Sequence, residues 1–297
     1  MNALLPSPEA LNRLSRLHLK RDGSGDAMPL GSQRGARPGS SREFLGLRPY
    51  EVGDDLRDLD WAATLRFDRP TLRLYRQEAE SSLLLVLDAS ASMGSGAPTK
   101  WAYVQALACA LGHIALGHAD RVGAVAFNTS LLARLPLGRR PGQWRALRES
   151  VERLAPAGGA DFHRIAAWLA PMRASHTVVV LLSDFLPPDA FADGLRRLAR
   201  SPLRVVALQV VSPEDTAPTL DGECELIDCE TGQTRTGWIG PAQRAAYVRA
   251  LQSASAHLAG LCREAGIRHA QIPTDVPVVR CLQETLVRAG VLCRARS

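Results

Sequence analysis

Residues 82–94 read Ser-Leu-Leu-Leu-Val-Leu-Asp-Ala-Ser-Ala-Ser-Met-Gly, and this stretch decides the fold. Leu83 to Leu87 form an aliphatic run without polar alternation, which suits a strand buried on both faces of a parallel sheet. An acid, two serines one residue apart and a glycine follow immediately, the composition of a tight turn at a strand end. Similar runs recur downstream in RVGAVAFN (121–128), HTVVVLLSD (176–184), LRVVALQVV (203–211) and IRHAQIP (267–273). Helical periodicity fills the intervals at 100–118, 143–154, 162–172, 189–200, 241–264 and 276–289. Strands alternating with helices predict an α/β chain: a doubly wound, mostly parallel sheet with helices on both faces. Between the fourth strand and the fifth helix, the Glu-Thr-Gly-Gln turn predicts a β-hairpin insertion near 222–240.

Upstream of this region the pattern changes. Residues 22–41 hold five Gly, two Pro and four Ser, too little apolar surface to offset ordering entropy, and predict a flexible linker. The expected organisation is therefore a basic amphipathic stretch plus Gly/Ser/Arg linker over 1–41, a block over 42–80 that packs on the main domain, and the α/β domain over 81–297. The 297 residues are 46% hydrophobic and 22% charged, which excludes disordered, collagenous and disulfide-scaffold classes. No apolar run approaches the roughly 20 residues of a membrane span, and the first 20 residues lack the charge and apolar pattern of a secretory signal. The expected location is cytoplasmic. The six cysteines show no C-x-x-C pair and read as reduced structural thiols. Of 36 basic residues only Lys20 and Lys100 are lysine, a bias spread along the chain.

In open α/β sheets ligands collect at the carboxyl ends of strands, and three loops there carry chemistry. Asp88, Ser90 and Ser92 place a carboxylate and two hydroxyls on one tight turn, hard oxygen donors for a Mg²⁺-type ion. Asp184 ends a second strand equivalently. Ala157-Gly158-Gly159-Ala160-Asp161-Phe162 is a glycine-permitted turn leading into a helix. The plainer reading of the same residues is helix capping and local turns. A further acidic concentration, Glu51, Asp54, Asp55, Asp58 and Asp60, reads either as carboxylates paired locally with Arg48, Arg57 and Arg66 or as a partner-contact surface.

This loop set resembles the metal-ion-dependent adhesion site of von Willebrand factor A domains. Residues 46–61, Gly-Leu-Arg-Pro-Tyr-Glu-Val-Gly-Asp-Asp-Leu-Arg-Asp-Leu-Asp-Trp, resemble the signature of the bacterial family called domain of unknown function 58. The resemblance implies a von Willebrand factor A-like fold and a non-enzymatic, accessory or chaperone-like role. It also implies a protein partner, a MoxR-type AAA ATPase or its client, whose carboxylate completes the shell of a bound Mg²⁺ or Mn²⁺. Carried over residue by residue, Asp88, Ser90, Ser92 and Asp184 match the metal ligands. Ala160 stands where the pattern has Thr, so Asp161 reaches the ion, or water fills the place, or binding is weak. Arg48, Tyr50, Asp54, Asp55, Arg57, Asp60 and Trp61 are the candidate partner-binding residues.

Two other classes remain in play. A metal-dependent hydrolase would use the same carboxylates, with Asp161 or His163 as the general base. Nucleic-acid binding would use the excess of basic over acidic residues across 13–48 and would weaken steeply with salt. Gly94 to Lys100 lacks the Gly-Lys-Ser/Thr ending of a phosphate loop, and no G-x-S-x-G nucleophile turn occurs.

Overall fold

The structure, a computed structural model, describes residues 4–20, 43–76, 81–172 and 176–294. They form two compact units, one from residues 4–20 together with 81–294, the other from 43–76. The linker expected over 22–41 lies wholly outside the described residues.

The larger unit begins with α1 (Pro8–Arg13), a single turn of 3-10 helix and β1 (Leu17–Leu19). The smaller unit consists of β2 (Glu43–Pro49), α2 (Trp61–Phe67) and β3 (Thr71–Arg76), with β2 and β3 antiparallel. The larger unit resumes with β4 (Ser82–Asp88), α3 (Lys100–Gly117), β5 (Arg121–Phe127), β6 (Leu131–Gly138), α4 (Gln143–Glu152) and α5 (Phe162–Leu169). It continues through β7 (Thr177–Ser183), α6 (Asp189–Ala199), β8 (Arg204–Val211) and the short α7 (Pro213–Thr216). The hairpin β9 (Gly222–Ile227) and β10 (Thr234–Ile239) follows, then α8 (Pro241–Glu264), β11 (Arg268–Pro273), helical turns over 278–288 and β12 (Leu292–Arg294).

Six strands form the central sheet in the order β11-β8-β7-β4-β5-β6, with all neighbours parallel except β5 and β6. The expected doubly wound sheet is thus present. Leu83, Leu85 and Leu87 face a core built on α3, while Leu84 and Val86 face the layer of α5, α6 and α8, the strand alternation that a two-sided core requires. From β4 the chain runs outward to β5 and β6, then returns to the other side of β4 as β7. The sheet's topological switch point therefore lies between β4 and β7.

Two features differ from the sequence expectation. β6 was not anticipated: it is an antiparallel edge strand, mostly exposed or half-buried, and carries Pro136, so no apolar run announces it. The N-terminal stretch is not a separate tail. Leu11, Leu14, Leu17 and Leu19 are buried in the core that contains α3, β1 pairs antiparallel with β12, and His118 Nε2 lies 2.8 Å from the Leu17 carbonyl. In the smaller unit Trp61, a candidate partner-binding residue, is 72% exposed, and Leu65 and Val52 are more exposed still. Among the described residues no helix is long and apolar enough to cross a membrane, and all six cysteines are free thiols.

Candidate functional site

Asp88 ends β4 and is fully buried. Its Oδ1 accepts the Ser90 N–H at 2.9 Å and its Oδ2 accepts the Ser183 hydroxyl at 2.6 Å. Ser183, the last residue of β7, also accepts the Phe185 N–H at 2.9 Å. Phe185 sits at φ +53, which a bulky residue adopts only where its surroundings hold it. Here its ring is buried against Phe191, centroids 4.9 Å apart. The backbone of the β7 loop is thereby fixed beside that of β4. Ser90 Oγ and Ser92 Oγ stand 3.1 Å apart, and the Ala91 N–H bonds the Gly158 carbonyl, tying in the glycine turn.

Asp184 Oδ2 accepts the Lys100 ammonium at 2.8 Å, and Asp215, in α7 after β8, lies 3.6 Å from the same nitrogen. Lys100 and Asp184 are almost wholly buried. Burial pulls the lysine pKa down, but Asp184 and Asp215 outweigh it and hold the ammonium above its ordinary value. Thr99 caps α3 by accepting the Ala102 N–H, which places Lys100 in the first turn, pointing at the strand ends. Burial, with repulsion from Asp184, pushes the Asp88 carboxyl up to about 6. One more acid approaches from an unexpected place. Glu230, at the tip of the β9–β10 hairpin, is raised by desolvation and by Asp184, while the Ser92 hydroxyl favours its ionised form.

Of the expected site residues, Asp88, Ser90, Ser92 and Asp184 come together at the switch point. Asp161 does not turn its carboxylate to them: Oδ1 caps α5 by accepting the Arg164 N–H at 3.0 Å, and Oδ2 lies 3.8 Å from Arg164 Nε. His163 is exposed. The residues missed were Ser183, Lys100, Asp215 and Glu230, and only Lys100 left a trace, as one of two lysines among so many arginines.

The donor set fits a Mg²⁺-class ion in chemistry, through hard oxygens of Asp88, Ser90 and Ser92. Asp184 and Asp215 flank the Lys100 ammonium, and Asp184 bears on both Asp88 and Glu230, a concentration of acids that a cation would relieve. Among the described residues no three His, Cys, Asp or Glu side chains group closely enough to hold a metal by themselves. An ion would rest on hydroxyls and water, with Asp184 already engaged by Lys100 and Ala160 offering no oxygen.

Folding raises the Asp88 carboxyl from an ordinary value of 3.8 to about 6, so the fold prefers its protonated form. Its contribution is complete below about pH 4 and is lost as pH rises through about 6, a change on the order of 3 kcal/mol. Asp88→Asn keeps an acceptor for the Ser90 N–H, turns an NH2 donor toward the Ser183 hydroxyl oxygen and removes the charge. In EDTA the variant is expected to be more stable than wild type at pH 8 and to lose the Asp88 share of the pH dependence, about 3 kcal/mol in urea unfolding between pH 4 and 8, while His269 and Glu230 keep theirs. An unchanged slope would refute the assignment.

In the smaller unit, Asp54 forms a two-bond pair with Arg48, at 2.6 and 2.7 Å. Arg48 and the Glu51 N–H hold its pKa below the usual carboxylate range. Asp60 caps α2 through the Ala63 N–H and pairs with Arg73 at 2.8 Å, not with Arg66. Asp55 accepts the Arg57 N–H, and Tyr50 is half-buried. These acids build the unit's turns and leave Trp61 outward.

A family model described as protein of unknown function DUF58 matches residues 46–257. Uncharacterized proteins of Mycobacterium tuberculosis and Mycobacterium bovis are each 30% identical over 277 residues, covering 91% of this chain and 87% of theirs. Similar solved structures include the conserved hypothetical protein BatB from Bacteroides thetaiotaomicron, at 13% identity, covering 70% of this chain and 98% of that one, TM-score 0.42. The SpRpn10 VWA domain is also 13% identical, with 68% and 93% coverage and TM-score 0.38.

Proposed function

Because this chain belongs to the DUF58 family of proteins of unknown function, we propose that it is a non-enzymatic protein-interaction module that takes a partner's carboxylate at the β4–β7 switch point. The observation that carries this reading is the convergence of Asp88, Ser90, Ser92 and Asp184 at the crevice where open α/β sheets place ligands. A Mg²⁺ or Mn²⁺ held weakly by Asp88, Ser90 and Ser92 would supply the positive charge that a partner's acid needs. Ser183 orients Asp88, and Lys100 holds Asp184 in place. The partner class implied by the family resemblance is a MoxR-type AAA ATPase or its client, and an accessory or chaperone-like role follows from that pairing. Exposed Trp61 and Leu65 offer a second contact surface, since aromatic residues dominate interface energies.

Neither base expected for the rival hydrolase reading is offered to the site: Asp161 is committed to α5 and His163 is exposed. Affinity purification of wild type and Asp88→Ala, each with Mg²⁺ and with EDTA, tests the proposal. A co-purifying ATPase is expected only with wild type in Mg²⁺, at least tenfold enriched. Retention of that partner in both Asp88→Ala and EDTA would refute it, and metal-dependent turnover of a phosphoester or peptide panel lost in Asp184→Ala would favour the hydrolase.

A further inference from the structure

The β9–β10 hairpin interrupts the α/β alternation between β8 and α8. It pairs with no other strand among those described, and an isolated two-stranded hairpin is marginal on its own. Its base is tied down: Arg244, in α8, donates to the Leu220 carbonyl at 2.7 Å and to Asp221 Oδ1 at 2.6 Å. Its tip is preformed. Asp228 Oδ1 accepts the N–H groups of Glu230 and Thr231 at 2.8 and 3.1 Å, and the Asp228 carbonyl accepts the Gly232 N–H at 2.8 Å. Gly232 turns the chain at φ +72. The result is a stiff turn that projects one side chain, Glu230.

That side chain, though largely exposed, reaches the edge of the site. Glu230 Oε2 rests on the glycine turn, 3.3 Å from where a Cβ on Gly159 would stand. Ser92, Asp184 and Lys100 all bear on its charge. An alanine Cβ at 159 would make a tight 3.3 Å contact with the carboxylate, to which the Glu230 side chain would have to yield by a few tenths of an ångström. On a surface that already carries Asp88, Asp184 and Asp215, an acid docked from a separate element is the opposite of what charge repulsion favours. The preformed turn brings it there.

We infer that Glu230 is the site's own occupant, a carboxylate on a preformed turn that takes the place of the partner's acid, so that the hairpin must lift before a partner engages. The inference rests on the carboxylate-recognition reading above and sharpens it. The partner contact is a glutamate on a tight acidic loop, and the hairpin competes with it. Occupation from within the chain reduces the apparent affinity for the partner by the fraction of molecules in which the hairpin is lifted.

The hairpin tip supplies its own probe. A blocked heptapeptide spanning residues 227–233, with Cys229→Ser to avoid oxidation, is titrated calorimetrically in Mg²⁺ into full-length wild type, Glu230→Ala and Glu230→Gln. It is expected to bind both variants about tenfold more tightly than wild type, and the same peptide carrying Glu230→Gln is expected to bind none of them. Hydrogen exchange of residues 222–239 should accelerate severalfold in both variants, with the central sheet unchanged. Equal peptide binding to wild type and variants, including absence of binding at millimolar peptide, overturns the inference, as does unaltered hairpin exchange. The exchange readout needs no partner, so it separates this failure from failure of the recognition reading, which Asp88→Ala reports.

Discussion

Lys100→Met is expected to lower the unfolding free energy by about 3–5 kcal/mol at pH 7, the usual cost of removing one partner of a buried ion pair. The ammonium lies 2.8 Å from Asp184 and 3.6 Å from Asp215, and the Lys100 and Asp184 side chains are only 3% and 4% exposed. Methionine matches the stem of lysine and fills the same space, so the loss reports charge rather than a cavity. Asp184 would be left ionised without a counter-charge, accepting only a long 3.4 Å contact from the Leu186 N–H on its other oxygen. The double variant Lys100→Met, Asp184→Asn should recover much of the loss, a coupling that a double-mutant cycle in urea isolates. Lys100→Arg should recover little, because a planar five-donor fork cannot replace a compact ammonium between buried Asp184 and half-buried Asp215. A loss below about 1 kcal/mol in Lys100→Met would show that the pair does not hold the site together.

The second large effect concerns the N-terminal segment. Leu11, Leu14, Leu17 and Leu19 are each buried, and full burial of a leucine is worth roughly 1.5–3 kcal/mol. Their combined contribution approaches the whole stability of a typical domain, about 5–15 kcal/mol. A chain truncated to begin at residue 21 is therefore expected not to fold, because β12 also loses its strand partner and His118 loses its acceptor carbonyls at residues 15 and 17. Leu14→Ala, the milder test, should cost about 2–5 kcal/mol. A cooperative unfolding transition of the truncated chain close to that of the intact protein would overturn this.

How much of this was legible depends on the kind of signal. β4, β7 and β8 announced themselves as aliphatic runs, and α8 was read to its end residues, because burial on both faces and helical periodicity are local patterns. β6 was missed for the converse reason, its exposed edge having no run to detect. The N-terminal leucines misled because their spacing shifts from three residues in the helical turns to two in β1, and the flanking Arg and Lys resemble a surface-binding helix. At the site, Asp88, Ser90, Ser92 and Asp184 were legible from their place at strand ends. Lys100, Asp215 and Glu230 were not, since their meeting depends on loops from three distant parts of the chain. Asp161 misled through its neighbourhood: the turn that brings it near also makes it the cap of α5, and the nearby Arg164 N–H claims its oxygen.

The pairing of β1 with β12 also bears on how the protein is made. Leu19 pairs across with Leu292, so the segment carrying Leu11 to Leu19 finds its partner strand only after the whole α/β core between them has been synthesised. Until then four core leucines have no completed surface to enter. Contacts of such separation are slow to form, and waiting apolar segments aggregate. The α/β core can assemble as it emerges, but this seam closes only once β12 has followed, which makes residues 11–19 the segment that a holding chaperone would shield.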